Sequence, residues 1–307
     1  PQLKPLLEPT YGCIVYQEQV MQIVRDLAGY TLGRSDLLRR AMSKKKGDVM
    51  QKERQIFVYG DEENNVPGCI KNGIDEKTAN KIYDEMIDFA KYAFNKSHAA
   101  AYAVVAYQTA WLKYYYPVEF MAALMTSVIE NPSKVAEYIY ACRQMGIQIL
   151  PPDINKGEAD FSVDGGNIRY GLAAIKSIGR PVVQAVTEER DAFGPFKTLE
   201  DFITRMSAKD VLNKRTIENL IKAGALDTLG GTRKQFMSIY IQIVEHVNQE
   251  KKYSMSGQMS LFDLVGEDQK SEFQIRMPDV GEYTKENLLA FEKEVLGIYI
   301  SGHPLQE

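Results

Sequence analysis

The run from Ala99 to Leu112 constrains the fold of this chain more than any other stretch. It reads Ala-Ala-Ala-Tyr-Ala-Val-Val-Ala-Tyr-Gln-Thr-Ala-Trp-Leu, which on a helix is apolar on nearly every side. A helix with no polar face is expected in the interior of a large protein. About fourteen residues fall short of the roughly 20 needed to cross a bilayer. The polar turn in front of it, Phe94-Asn95-Lys96-Ser97-His98, is then expected to be held rigidly by the buried helix. Rigidly held polar groups are what recognition of a substrate requires.

Other features bound the class of protein. At 307 residues, the chain is long enough for two or more domains. A balance of 45% hydrophobic and 25% charged residues suits a soluble globular protein rather than a disordered or membrane-embedded one. No signal peptide or transmembrane run is present, so a cytoplasmic location and no membrane partner are expected. Cys13, Cys69 and Cys142 are odd in number and far apart, which argues against a disulfide framework and a zinc site. The chain opens on Pro1 and stops at Glu307 in mid-phrase, and is read as a piece of something longer.

Charge is unevenly spread. Residues 34–54 carry eight bases against three acids, a local balance of +5, and residues 245–307 carry six bases against twelve acids, a balance of −6. One dense basic segment in an acidic chain points to a localised anion site.

The periodicity reads as mainly α. Ser35 is placed as the cap of a helix carrying Leu37, Leu38 and Met42, and Asp75 as the cap of one carrying Ala79, Ile82, Tyr83 and Met86. Pro117 suits the first turn of the helix after the apolar run, and Ser133 is placed as the cap of the next, closed by Gly146. Leu150-Pro151-Pro152 reads as an extended connector. Asp164-Gly165-Gly166-Asn167 marks a short β-hairpin, the one β element expected. Thr198 to Asp201 forms a capping box, a helix begins after Thr232, residues 249–283 read as a polar tether, and a last helix runs from Lys285 to Leu296.

Four constellations could carry chemistry. The first is the basic helix and turn with Arg39, Arg40, Lys44, Lys45 and Lys46, whose cations suit phosphate or simply a solvated helix face. The phosphate reading needs these bases to face the second constellation, the turn of Asn95, Lys96, Ser97 and His98, whose donors suit a triphosphate or a nucleic-acid backbone. The alternative for that turn is a structural helix cap. The third is Ile175-Lys176-Ser177-Ile178-Gly179, a helix-hairpin-helix pattern that aims backbone N–H groups at a phosphate from a helix start. A weaker second copy spans Leu220 to Leu226 around Gly224, and an ordinary αα-turn is the alternative for both. The fourth is Gln258-Met259-Ser260-Leu261-Phe262, an amide and an apolar pair suited to a partner's pocket. No nucleophile elbow, P-loop or metal-spaced His/Cys set is present, so no catalytic or metal-binding residue is assigned.

Taken together, these phrases resemble the alpha subunit of bacterial DNA polymerase III, the C-family replicative polymerase, and its DnaE type more than its PolC type. The resemblance runs in order through Leu7-Glu8-Pro9-Thr10-Tyr11-Gly12, Leu38-Arg39-Arg40-Ala41-Met42, Phe94-Asn95-Lys96-Ser97-His98, Leu150-Pro151-Pro152-Asp153 and Ser301-Gly302-His303-Pro304. It implies a helical fingers domain over 1–155, a tandem helix-hairpin-helix DNA-binding domain over 156–245, a tether with a clamp-binding motif over 246–283, and a helix over 284–307 leading toward an OB domain. Arg39, Arg40 and the turn Asn95–His98 would bind the incoming dNTP. Lys44, Lys45, Lys46, Lys176, Ser177, Ile178, Gly179 and Gly224 would bind the DNA primer-template, and Gln258–Phe262 the sliding clamp. Other replisome subunits are further implied partners. The aspartates that hold Mg²⁺ in the whole nucleotidyltransferase would lie upstream of Pro1, so this piece alone is expected to be inactive and to need no cofactor. Ser177 stands where the motif commonly has glycine, which is tolerable if that position keeps a negative φ. A stand-alone, non-specific DNA-binding helix-hairpin-helix protein is the alternative, and a pure interaction scaffold a third possibility.

Overall fold

The structure, a computed structural model, describes residues 1–44, 47–90, 92, 94–256 and 276–302. It is mainly α, as expected, with fourteen α-helices and one small sheet among the described residues. The chain divides into two compact units, Pro1–Ala110 and Trp111–Glu307.

The first unit is built from α1 (Lys4–Leu7), α2 (Gln17–Ala28), α3 (Leu32–Ser43), α4 (Gly47–Tyr59), α5 (Gly68–Lys71) and α6 (Glu76–Ala90). Helix α2 buries Val20, Ile23, Val24 and Leu27, the i, i+3, i+4, i+7 stripe of a one-faced helix. That stripe packs with Leu38 and Met42 of α3, Phe57 and Val58 of α4, and Tyr83 and Met86 of α6. Gly29, at φ 76°, ends α2 in the left-handed conformation that glycine adopts without penalty.

The cap of α3 is Thr31, whose Oγ1 accepts the Arg34 N–H at 3.3 Å. Ser35 instead lies inside the first turn, its hydroxyl donating to the Thr31 carbonyl at 2.9 Å. Thr31 takes the cap because it is the extended residue, at ψ 159°, next to the first helical one. Asp75 caps α6 as the sequence predicts, accepting from Thr78 N–H at 2.9 Å.

Helix α7 (Lys96–Tyr115) forms where the apolar run predicts a helix, but no residue of it is buried. Tyr102 is 63% exposed and Tyr107 70%. The expectation of a buried helix is therefore corrected. Apolarity all round a helix permits burial but does not supply a partner, and among the described residues no element packs extensively along α7. No described helix is long and apolar enough to cross a membrane.

The second unit holds α8 (Pro117–Ser127), α9 (Pro132–Gln144), α10 (Arg180–Phe193), α11 (Leu199–Ser207), α12 (Lys214–Ala223), α13 (Arg233–Ser256) and α14 (Lys285–Leu296). Met121 and Met125 of α8 and Ile139 and Cys142 of α9 share one core with Tyr170, Phe202, Leu220 and Phe236. Packing therefore groups residues 117–144 with the helices C-terminal to them, and the structural boundary falls at Ala110/Trp111. Asn131, not Ser133, caps α9, accepting from Lys134 N–H at 3.2 Å with Pro132 in the first turn. Thr198 caps α11 by accepting from Asp201 N–H at 3.0 Å, while the Asp201 carboxylate reaches Lys197 N–H.

The expected hairpin is β2 (Ser162–Asp164) and β3 (Asn167–Arg169), joined through Gly165 and Gly166, both at positive φ. A third strand, β1 (Ile149–Leu150), adds to it in parallel, with Ile149 opposite Ile168 and Leu150 opposite Arg169. Two residues are too few to show alternation, which hid β1 in the sequence. Helix α13 runs on to Ser256, past the expected start of the tether at 249. The polar tract Gln249-Glu250-Lys251-Lys252 resembles a loop in composition, but all four are good helix formers.

Candidate functional site

Within the first unit, three local structures meet at the start of α2. The Phe94 carbonyl accepts from Gln17 N–H at 2.9 Å, and Tyr16 and Phe94 form an isolated parallel bridge. The first turn of α7 thereby docks on the first turn of α2. Asn95 caps α7, its Oδ1 accepting from His98 N–H at 2.8 Å, and the Glu18 carboxylate takes Lys96 N–H at 3.0 Å. The Lys96 ammonium lies 5.6 Å from the centre of the Tyr16 ring, where a cation is attracted to the π-face. His98 is sandwiched along the helix between Phe94 and Tyr102, at ring distances of 5.7 and 4.6 Å. Lys96, Ser97 and His98 are exposed.

From the other side α3 brings Arg39, whose Nη1 donates to Gln17 Oε1 at 3.1 Å. Gln17 therefore joins the two predicted constellations: its backbone holds the turn before α7, and its side chain holds Arg39. Both arginines are also held by Asp36. Arg39 Nη2 lies 2.8 Å from Asp36 Oδ1 and Arg40 Nε 2.8 Å from Asp36 Oδ2. Hydrogen bonding from Arg39, together with the charges of Arg39 and Arg40, holds the Asp36 carboxyl below the usual carboxylate range.

Other cations of the basic segment are differently placed. Arg34 is committed to structure, paired to Glu53 at 3.1 Å and to Asp61 at 3.2 Å. Glu53 also accepts from the Tyr30 hydroxyl at 2.8 Å, so this group fixes α3 against α4. Burial and that bond raise the Tyr30 pKa. Lys44 is exposed, and Lys45 and Lys46 lie outside the described residues. Sequence reasoning missed Gln17, Glu18 and Asp36. Only Asp36 left a signal, since its spacing of three and four from the arginines is the helical pairing distance.

The second unit carries the hairpin Ile175–Gly179. Ile175 and Ile178 are buried and anchor its shoulders, while Lys176, Ser177 and Gly179 are exposed. The base is buttressed twice: Lys176 N–H donates to the Val295 carbonyl at 2.8 Å, and Asn219 donates to the Lys176 carbonyl at 2.7 Å. Ser177 has φ 65°, so the condition under which serine is tolerated there without strain is not met. Ser177 stands at the apex between the two buried isoleucines in the left-handed region, at a cost of about 1–2 kcal/mol for a side chain with a Cβ. Among the described residues no acceptor is found for the N–H groups of Ser177, Gly179 and Arg180. These three donors point from the turn and the first residue of α10. Arg180 is ion-paired with the half-buried Asp160.

The weaker second copy is built differently. Gly224, at φ 79°, ends α12, and its N–H and that of Ala225 bond back to Ile221 and Leu220. A Cβ on Gly224 would collide with Nη2 of Arg233. That guanidinium is buried and paired with Asp227 at 2.8 Å and Glu292 at 3.6 Å. Gly224 is thus covered by a buried ion-pair network rather than presented at the surface. Gln258, Met259, Ser260, Leu261 and Phe262 lie outside the described residues. Among the described residues no group of three or more His, Cys, Asp or Glu side chains could hold a metal ion.

One unit thus carries a cation cluster and the other a donor-bearing hairpin. Residues 1–65 match the finger domain of the bacterial DNA polymerase III alpha subunit, and residues 146–236 match the helix-hairpin-helix motif. The chain is related to the DNA polymerase III alpha subunits. It is 47% identical over 306 residues to the DNA polymerase III subunit alpha of Vibrio cholerae, covering 99% of this chain and 26% of the relative. The corresponding protein of Thermus aquaticus is 46% identical over 303 residues, covering 99% and 23%. That of Escherichia coli strain K12 is 45% identical over 306 residues, covering 99% and 26%. The chain spans about a quarter of the length of these relatives. Arg39, Arg40 and Asp36 fall within the finger-domain match and the Ser177 hairpin within the helix-hairpin-helix match, while Asn95–His98 lie between the two.

Proposed function

We propose that this chain is the nucleotide- and DNA-gripping region of a replicative DNA polymerase, with chemistry supplied by a catalytic part outside it. Arg39, Arg40 and the turn Asn95–His98 bind the phosphates of the incoming dNTP. The observation that carries this reading is Gln17, which ties Arg39 and the turn before α7 to one helix start. Cations from α3 and donors from α7 converge there, as a polyphosphate requires. The exposed amides of Ser177, Gly179 and Arg180, with Lys176, grip the duplex backbone without reading sequence. Gly224 leaves the DNA-binding set because Arg233 covers it. Gln258–Phe262 bind the sliding clamp, and Leu261→Ala with Phe262→Ala should abolish clamp binding while sparing DNA.

Titration with dNTP tests the pocket. Arg39→Gln with Arg40→Gln should weaken nucleotide binding by tenfold or more and leave duplex affinity within about twofold. The stand-alone DNA-binding alternative predicts no nucleotide binding to lose and no change in duplex affinity, because such a protein has no use for the first unit. Magnesium-dependent primer extension by residues 1–307 alone would contradict the assignment of catalysis to a part outside this chain.

A further inference from the structure

The cations and donors of the nucleotide pocket are already occupied, and by carboxylates. Asp36 holds Arg39 with one oxygen and Arg40 with the other, and Glu18 sits on Lys96 N–H at 3.0 Å in the first turn of α7. A carboxylate at these positions is the intramolecular equivalent of a phosphate oxygen: an anion accepting from a guanidinium or a helix-start amide. Neither acid supports the core. Asp36 is 30% exposed, and its partners are on its own helix. Glu18 is half-buried, and among the described residues its side chain bonds to the opposite helix start.

We propose that Asp36, seconded by Glu18, is a place-holding anion that a polyphosphate must displace, and so an affinity-setting residue of the pocket. The inference rests on the nucleotide reading given above. Displacement turns Arg39 and Arg40 from intrahelical pairs to the ligand and leaves the Asp36 carboxylate beside it. The pocket is therefore weaker than its cations alone would make it, because the retained carboxylate repels every phosphate. Exposed pairs are individually weak, so the place-holder yields readily to a multivalent anion.

The test titrates the 307-residue protein with inorganic triphosphate and with orthophosphate at low ionic strength, where such contacts are strongest. Asp36→Asn, Glu18→Gln, Arg39→Gln/Arg40→Gln and the remote charge control Glu63→Gln are compared, each checked for native circular dichroism. Asp36→Ser repeats the measurement if the asparagine variant misfolds. Asp36→Asn should tighten triphosphate binding about five- to twentyfold and orthophosphate binding by less, because the repulsion removed scales with ligand charge. Glu18→Gln should tighten it about two- to fivefold, and Glu63→Gln should change nothing. If the arginine variant weakens binding but Asp36→Asn leaves it unchanged or weaker, the place-holder is overturned and the pocket survives. If the arginine variant binds triphosphate as well as the wild type, or no protein binds it, the pocket itself is overturned and the place-holder with it.

Discussion

The two anion sites differ in readiness. In the first unit the arginine donors are side-chain cations that arrive with a shared counter-ion, Asp36 for both Arg39 and Arg40. In the second unit the principal donors are backbone N–H groups at Ser177, Gly179 and Arg180, and they stand open. A folded chain can expose an unpaired amide to water at little cost, whereas clustered guanidinium groups repel one another unless acids are interleaved. The hairpin is therefore a fixed grip suited to a ligand that is always present along the duplex. The arginine site is an exchangeable one, suited to a ligand that comes and goes.

Breaking the grip is expected to have the largest effect. Phe236 is fully buried in the core that carries the hairpin, and Phe236→Ala should cost about 3–5 kcal/mol by thermal or denaturant unfolding. Duplex binding should fall with it at 37 °C. Next comes Gly224→Ala, which adds left-handed strain and drives a methyl group into the Arg233 guanidinium. A loss of about 3 kcal/mol is expected from strain plus a disturbed buried ion pair. If Gly224 were instead a surface phosphate contact, stability would change by only about 1 kcal/mol and DNA affinity would drop.

Arg34→Ala removes the charged hydrogen bonds that hold α3 to α4, at a cost of about 2 kcal/mol. It should weaken nucleotide binding only through that loosening, so Arg34→Lys, which keeps the charge, should restore much of both. The smallest effect sharpens the comparison best. Ser177→Gly relieves the left-handed strain and should stabilise the second unit by about 1 kcal/mol with duplex affinity unchanged. A fall in affinity would mean that the serine hydroxyl, not the backbone, holds the phosphate.

Much of this was legible in the sequence because it is local. The helices with one apolar stripe, such as α2 and α14, and the turn at Gly165-Gly166 arise from spacing and turn chemistry within a few residues. What escaped depends on partners distant in sequence. The burial of α7 was misjudged because an apolar composition says what a helix tolerates, not what lies beside it. Caps at Thr31 and Asn131 were displaced by a few residues because each helix begins nearer its preceding turn than the polar residue chosen. The link through Gln17 crosses 22 residues to Arg39 and was invisible to any local rule. The left-handed backbone of Ser177 goes against its residue type, which favours negative φ, so residue type alone pointed the wrong way.

Two ligands titrated against three proteins test the separation of the two sites most directly. A labelled DNA duplex and a dNTP are each measured against the wild type, Arg39→Gln/Arg40→Gln and Lys176→Glu/Arg180→Glu. The arginine pair should lose nucleotide and keep duplex. The hairpin pair should lose duplex by tenfold or more, with a shallower salt dependence because fewer phosphates are neutralised, and keep nucleotide. Loss of both ligands by either variant, with the fold intact, would contradict two independent anion sites.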